Sequence, residues 1–390
     1  MNKIVLLGTS VCNKNRGVNA LAIGHIVLLM QNYDFDTVYS VTLSKRKSET
    51  SEIVAINGKQ ITFINKSMIW TEFLVISILF LFIRLFKLYD INDCSKFLKD
   101  VDIVCASNGG DSFSDIYGLK RLFLEFLSII TPELLGKKVV FTPQTIGPFY
   151  SFLAKIMAFF NLKLASKVFV RDNKGDKFLS SIRVKAKLTR DISSYMTPEK
   201  IDYVVKPNTL GINVNGLMWE NNYTGLENCF DNYRILMKKL CEKILEQGYN
   251  ILFVPHTYSI EGNMLENDYT AIKDLMKEFD TERISCLEEE HTAPQLKYII
   301  SQTDFFIGSR MHSNLAALTT STPTIALAYS YKFDGTFKMF DVSECVIQVK
   351  DMQADEVSSV IDKVMNCFSQ KNNIISKLKK VNSSLESIEF

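Results

Sequence analysis

Short apolar runs separated by longer stretches of mixed polarity recur along the whole chain. Residues 4–8, 37–43, 101–106, 138–142 and 167–170 are dense in Val, Ile, Leu and Phe and too short for helices, so they predict strands. Between them, residues 18–32, 119–130, 153–165 and 174–180 place apolar side chains at helical spacing. The pattern breaks at Lys206-Pro207-Asn208 and then begins again. Strands are expected at 210–214, 250–254, 305–307 and 324–328, and helices at 231–247, 269–278, 295–301, 355–365 and 374–384. Strands alternating with helices in this way argue for parallel sheets covered on both faces. The expected fold class is therefore α/β, with two Rossmann-like domains, 1–205 and 206–390, facing a cleft. In such sheets ligands gather at the carboxyl ends of the strands.

Composition narrows the functions open to this fold. A hydrophobic fraction of 47% over 390 residues supplies two ordinary cores. The net charge of +2 gives no basic footprint, so nucleic acid is not an expected partner. Eight cysteines are scattered without a CxxC pair, which fits buried free thiols in a reducing cytoplasm. Met1-Asn2-Lys3 runs straight into the first strand, so no leader is expected. No metal is expected, because no HExxH-like ligand spacing occurs. Dinucleotide, Walker and GxSxG signatures are also missing.

The region 69–89 stands apart. Residues 73–83 are apolar except for Ser77, and Glu72 and Arg84 bound a run about half the ~20 residues of a membrane span. Two readings stay open: a helix buried in the core, or one lying on a membrane surface with its aromatic and basic flanks at the headgroups. A second segment, 149–164, is rich in Phe and Leu and carries Lys155 and Lys163. Two such segments raise the expectation of peripheral contact with the inner face of the cell membrane.

Candidate chemistry sits where strands end. Gly308-Ser309-Arg310-Met311-His312-Ser313-Asn314 joins a predicted strand to a predicted helix. Unbonded N–H groups and the positive end of a helix dipole make such a junction an anion site. Arg310 adds a guanidinium fork and His312 a proton that titrates near neutral pH. The loop from Asn13 to Ala20 follows the first strand, and Gly17 in it permits close backbone approach beside Asn15. Gly109 and Gly110 precede Asp111, a candidate proton acceptor for a sugar hydroxyl. Pro143 and Pro148 fix the loop that carries Gln144. Arg171 ends one strand as a second anion clamp, His256 ends another, and Lys332 follows the last good strand.

Taken in order, these stretches resemble the polysaccharide pyruvyl transferase family. The resemblance is carried by Asn15-Arg16-Gly17, Asn108-Gly109-Gly110-Asp111, Pro143-Gln144-Thr145-Ile146-Gly147-Pro148 and Val170-Arg171-Asp172. Asp191-Ile192, Val254-Pro255-His256, Ser309-Arg310-Met311-His312 and Pro323 complete it. One departure stands in the first motif: the family often has an acidic residue after the loop glycine, where this chain has Val18 and Asn19. The resemblance implies a fold like the GT-B glycosyltransferases. It implies phosphoenolpyruvate as donor, used as a co-substrate with no further cofactor. It implies a sugar diol, free or on a lipid-linked oligosaccharide, as acceptor. By motif match Arg171, Arg310 and His312 would hold the donor.

Ketal formation from an enol phosphate needs a proton at the methylene carbon and a base for the attacking hydroxyl. His312 is the expected acid, Asp111 the weaker candidate base, and Lys332 an assisting cation. Asn15, Gly17, Gly109, Gly110, Gln144 and His256 are expected to line the cleft. Two other readings remain open: a GT-B glycosyltransferase using a nucleotide sugar, and a non-catalytic, membrane-associated protein of polysaccharide assembly.

Overall fold

Runs such as Ile4–Leu7 and Ile103–Ala106 are buried at every position, as strands covered on both faces must be. The computed structural model describes residues 1–223, 225–262, 264–330, 332–384 and 387–390. The chain divides into two units. One comprises Met1–Val11, Leu21–Met196 and Ser387–Phe390; the other comprises Cys12–Ala20 and Thr197–Glu386.

The first unit contains β1 (Ile4–Leu7), β2 (Thr37–Ser44), β3 (Ser48–Ile56), β4 (Lys59–Ile69), β5 (Ile103–Ala106), β6 (Lys138–Gln144), β7 (Lys167–Val170) and β8 (Lys187–Leu188). They form one sheet in the order β3-β4-β2-β1-β5-β6-β7-β8, parallel except for the antiparallel β3–β4 pair. Its helices are α1 (Arg16–Leu29), which begins within the stretch grouped with the second unit, α2 (Trp70–Phe86), α3 (Asp93–Lys99), α4 (Leu119–Leu134), α5 (Phe152–Leu164) and α6 (Asp176–Ser181). Leu7, Val104, Phe113, Leu127 and Phe141 lie in its core.

The β3–β4 hairpin goes beyond the strands expected from the sequence. Its turn is Asn57-Gly58, both at positive φ (50° and 79°), the backbone that a two-residue turn of right-twisted strands requires. Solvent-facing Glu49 and Glu52 keep the edge strand β3 polar, which discourages pairing with other chains.

The apolar segment 73–83 lies in α2. Only Phe73, Ile76 and Ile83 of α2 are buried, while Ile78, Leu81, Phe82, Leu85 and Phe86 are exposed. α2 packs beside α4, and α4 beside α5. Helix α5 also turns apolar side chains outward: Phe152 is 76% exposed and Leu153 61%. No described helix is long and apolar enough to cross a membrane.

The second unit contains β9 (Thr209–Asn213), α7 (Gly216–Glu220), α8 (Tyr233–Glu246), β10 (Asn250–Phe253), α9 (Asp268–Met276), β11 (Ile284–Cys286), α10 (Ala293–Ser301), β12 (Phe305–Gly308), α11 (Met311–Thr319), β13 (Thr324–Ala328), α12 (Lys332–Met339), β14 (Val346–Gln348), α13 (Val357–Ser369) and α14 (Lys371–Asn382). The all-parallel order β11-β10-β9-β12-β13-β14 is the doubly wound order 3-2-1-4-5-6. The order reverses between β9 and β12, and the crevice outside their carboxyl ends is where this fold places ligands.

The unit boundaries differ from a single cut at residue 205. Residues 12–20 group with the second unit because main-chain bonds tie them to the end of β10. The Arg16 N–H donates to the His256 carbonyl at 3.0 Å, and the Tyr258 N–H to the Lys14 carbonyl at 3.1 Å. Residues 387–390 return to the first unit, where Lys138 Nζ donates to the Phe390 carbonyl at 2.8 Å.

Candidate active site

Beyond Gly308 the chain turns sharply into α11. A side chain at 308 would collide with Asn314, whose Nδ2 donates to the carbonyls of Gly308 at 2.9 Å and Arg310 at 3.0 Å. Arg310 is the extended N-cap residue of α11, and its N–H donates to Asn213 Oδ1 at the end of β9, 2.9 Å away. His312 is therefore the second residue of a helix that starts at the switch point of the sheet. The N–H groups of that first turn have no acceptor within the helix, so its dipole favours an anion.

The Arg310 guanidinium is buried and directed at carboxylates. Nε and Nη2 donate to Asp268 Oδ1 at 3.2 and 2.9 Å. Nη1 reaches Glu266 Oε2 at 3.0 Å, and Nη2 also reaches the Glu266 carbonyl at 3.0 Å. Four of its five N–H groups are thus engaged. Burial alone would lower its pKa; the negative charge of Asp268, Tyr329 and Glu266 outweighs burial and raises it.

Asp268 collects donors from four segments. Its Oδ1 also accepts from the Gly216 N–H at 2.9 Å. Its Oδ2 accepts from Asn213 Nδ2 at 3.2 Å and from the N–H groups of His256 and Thr257, each at 3.0 Å. A fully buried carboxylate supplied in this way is stable only because every lone pair is used. His256 beside it is held neutral: burial first, then His312, Arg310 and Arg16, push its pKa well below the ordinary imidazole value.

The loop before α1 closes this arrangement. Asn19 fixes it by accepting from the Asn13 N–H at 3.0 Å and donating to the Asn13 carbonyl at 2.9 Å. The side chain of Asn15 accepts from the Gly17 N–H at 2.9 Å. Arg16 donates to the carbonyls of His291 and Asn13 and to Glu290. Burial would raise the Glu290 pKa, but Lys14, Ser259 and Arg16 draw it down to about 2. His312 packs directly on the backbone of Gly17. The second unit thus joins a helix N-terminus, two imidazoles, one of them neutral, and the cations Arg16 and Arg310.

The first unit forms its own cluster at strand ends. The Gly109 N–H donates to the Gly8 carbonyl at 3.0 Å, and the Thr145 N–H to the Gly110 carbonyl at 2.9 Å. Gln144 is fully buried and donates to the Ala106 carbonyl at 2.6 Å while accepting from Asn108. Arg171 Nη1 pairs with Asp191 at 2.6 Å, and its Nε donates to Thr145 Oγ1. Burial opposes the Arg171 charge, and Asp191 and Asp111 more than restore it. Thr145 Oγ1 in turn donates to Asp172. Asp111 accepts from the Tyr117 hydroxyl at 2.8 Å.

The polysaccharide pyruvyl transferase family signature matches residues 35–331. The chain belongs to that family. Membership makes this pyruvyl transferase family member a transferase acting on polysaccharide. It is 20% identical over 293 residues to the amylovoran biosynthesis protein AmsJ of Erwinia amylovora, covering 70% of this chain and 68% of that protein. The fold of the transferase is GT-B-like. It is similar to UDP-GlcNAc 2-epimerase from Neisseria meningitidis (TM-score 0.53, 11% identity, 99% and 95% of the two chains covered). It is likewise similar to α,α-trehalose 6-phosphate synthase from Burkholderia multivorans (TM-score 0.52, 8% identity, 99% and 96% covered).

Of the residues read from the sequence, the second unit of the transferase brings together Asn15, Gly17, His256, Arg310 and His312, and the first brings together Gly109, Gly110, Asp111, Gln144 and Arg171. Lys332 opens α12 beyond the end of β13. Gln144 bonds the Ala106 carbonyl and Asn108, and Arg171 is oriented by Asp191 and Thr145. The Val18-Asn19 departure also has a structural account, since Asn19 locks the loop from Asn13. Sequence reading missed Asp268, Asn213 and Glu290. Asn267 caps α9 through its side chain, so Asn267-Asp268 reads as an ordinary helix start; nothing local marks Asp268 as the partner of a residue 42 positions away.

Proposed function

We propose that the protein transfers the pyruvyl group of phosphoenolpyruvate to two hydroxyls of a sugar in a cell-surface polysaccharide precursor. The products are a cyclic ketal and inorganic phosphate. The observation that carries this reading is the placement of His312 in the first turn of α11, at the switch point of the sheet, among Arg16, Arg310 and a neutral His256. An anion with a protonatable carbon is the substrate that such a set of groups suits.

In the reaction the methylene carbon gains a proton and the first sugar hydroxyl adds to the central carbon. The C–O bond to phosphate breaks, and the second hydroxyl adds in its place. Of the two hydroxyl protons released, one balances the new methyl group and the other leaves with phosphate. His312 delivers the proton to carbon. The α11 N-terminus and Lys332 hold the anionic groups, and Arg310 supplies positive potential while fixing the turn. In the first unit Arg171 is the corresponding buried cation, and Asp111 is the candidate base. The reading predicts phosphate release from phosphoenolpyruvate in the presence of acceptor, and a melting-temperature shift with phosphoenolpyruvate rather than with a nucleotide sugar. A shift with a nucleotide sugar alone would favour glycosyl transfer.

Membrane-surface contact is the second part of the proposal. The exposed apolar faces of α2 and α5 carry Arg84, Lys87, Lys155 and Lys163, all solvent-facing. Apolar side chains rimmed by cations fit the headgroup region of an anionic bilayer. That contact would place the protein on the leaflet where a lipid-linked acceptor is presented.

A further inference from the structure

The strand order of the first unit reverses between β1 and β5, and a cavity of about 440 Å³ opens beside that reversal. Cavities of roughly 300–1,000 Å³ with apolar walls and a few placed polar groups are the usual sites of small ligands. Leu7, Leu43 and Leu124 give this one its apolar wall, and Asn108, Arg121 and Glu125 its polar one.

The polar wall is built rather than incidental. Arg121 Nε donates to Glu125 Oε1 at 3.2 Å, and Nη2 donates to Ser112 Oγ at 2.7 Å. The guanidinium lies 5.0 Å from the centre of the Tyr117 ring, and Tyr117 is anchored to Asp111. Arg121 is thus held from three directions. Glu125 Oε2 is buried, with no hydrogen-bond partner among the described residues. A buried acceptor left in this state costs stability, while the rest of the side chain, 17% exposed, lines the cavity. Burial outweighs the attraction of Arg121 and raises the Glu125 pKa to about 7. Near neutral pH the group therefore accepts hydrogen bonds and exchanges protons readily.

The chemistry of the ligand follows from the walls. Arg121 is already engaged by Glu125 and Ser112, and Lys120, the other lining cation, is solvent-exposed. A neutral polyol has hydroxyl donors for Glu125 and a C–H face for the leucines. We propose that this cavity holds one neutral sugar ring, with its C–H face on Leu7, Leu43 and Leu124 and a hydroxyl donating to Glu125. That this ring belongs to the pyruvyl acceptor rests on the function proposed above; that the cavity binds a sugar does not.

The test is saturation-transfer NMR with methyl β-galactoside, methyl β-glucoside and methyl α-mannoside as probes, on the wild type, Glu125→Gln and Leu124→Trp. At least one glycoside should receive saturation from the wild type. Its Kd should rise about tenfold or more in Glu125→Gln, the loss of one charged hydrogen bond. The signal should vanish in Leu124→Trp, where an indole fills the cavity. Thr42→Trp, at the exposed rim, makes the same test should Leu124→Trp not fold. Phosphoenolpyruvate should shift the melting temperature of every variant as it does the wild type. The proposal is overturned if no glycoside binds the wild type, or if binding survives the filled cavity. Failure of phosphoenolpyruvate to bind any variant would count against the pyruvyl reading and leave the sugar result standing by itself.

Discussion

A β-carbon on residue 17 would lie 2.8 Å from Cγ of His312 and closer still to Nδ1. The imidazole rests on bare backbone, and the glycine sets where the ring can be. Gly17→Ala should push the ring away. Displacement by ~1 Å can cost on the order of 10²-fold in rate. The expected outcome is a drop in kcat/KM of at least tenfold with a small change in melting temperature. Steady-state kinetics beside a thermal melt checks it; wild-type kcat/KM would show that the ring position is immaterial.

Removing the imidazole separates chemistry from binding. His312→Ala should lower phosphate release by about 10²–10⁴-fold, the usual contribution of a general acid. Its affinity for phosphoenolpyruvate, read by calorimetry, should change far less. A variant that turns over normally would end the assignment of His312 as the acid.

Asp268 should matter more for stability than for chemistry. Asp268→Ala leaves the buried Arg310 charge with Glu266 alone and strands several N–H donors. Breaking a buried pair in this way costs about 3–5 kcal/mol. The midpoint of denaturant unfolding should fall accordingly. Arg310→Lys should be milder in stability yet still impair activity, because an ammonium cannot make the same forked contacts.

Glu133, in the last turn of α4, gives a pH prediction of definite sign. Burial raises its carboxyl pKa to about 10, so it is protonated in the folded chain at neutral pH. In the unfolded chain it ionises near 4.5. Folded protein therefore binds the extra proton, and this residue's contribution to stability, fully present below about pH 4.5, falls as pH rises toward 10. Glu133→Gln removes that slope. Its advantage over the wild type should grow by up to about 1.4 kcal/mol per pH unit in this range. Melts at pH 5.5 and 8.5 should show the gap widening; a constant gap would contradict it.

The outward faces of α2 and α5 predict binding to anionic vesicles. Phe82→Glu with Leu153→Glu should abolish co-sedimentation with phosphatidylglycerol vesicles and spare turnover of a water-soluble acceptor. Retention on the vesicles would point to another role for these faces.

Much of the architecture was legible because buried parallel strands write themselves as continuous apolar runs, as in Ile4–Leu7 and Phe305–Gly308. The β3–β4 hairpin was not, since β3 is solvent-exposed along most of its length and forms no buried apolar run; Asn57-Gly58 is its local mark. Arg310 and His312 were visible because they sit together at a strand–helix junction. Asp268 was invisible because its importance lies in donors contributed by residues 213, 216, 256, 257 and 310. Glu125 was passed over as one acid on an amphipathic helix, and only the burial of its Oε2 sets it apart.

That convergence on Asp268 bears on how the second unit is made. Its donors come from the ends of β9, β10 and β12, so the carboxylate cannot be satisfied until all three strands have paired. Before then a charge bound for the interior has only water to solvate it. Closure of these long loops is slow relative to local helix formation. The turn carrying His312 should therefore be among the last parts of the unit to gain protection from hydrogen exchange during refolding. A newly synthesised chain would acquire its anion site only as the sheet closes, and a half-folded chain would have none.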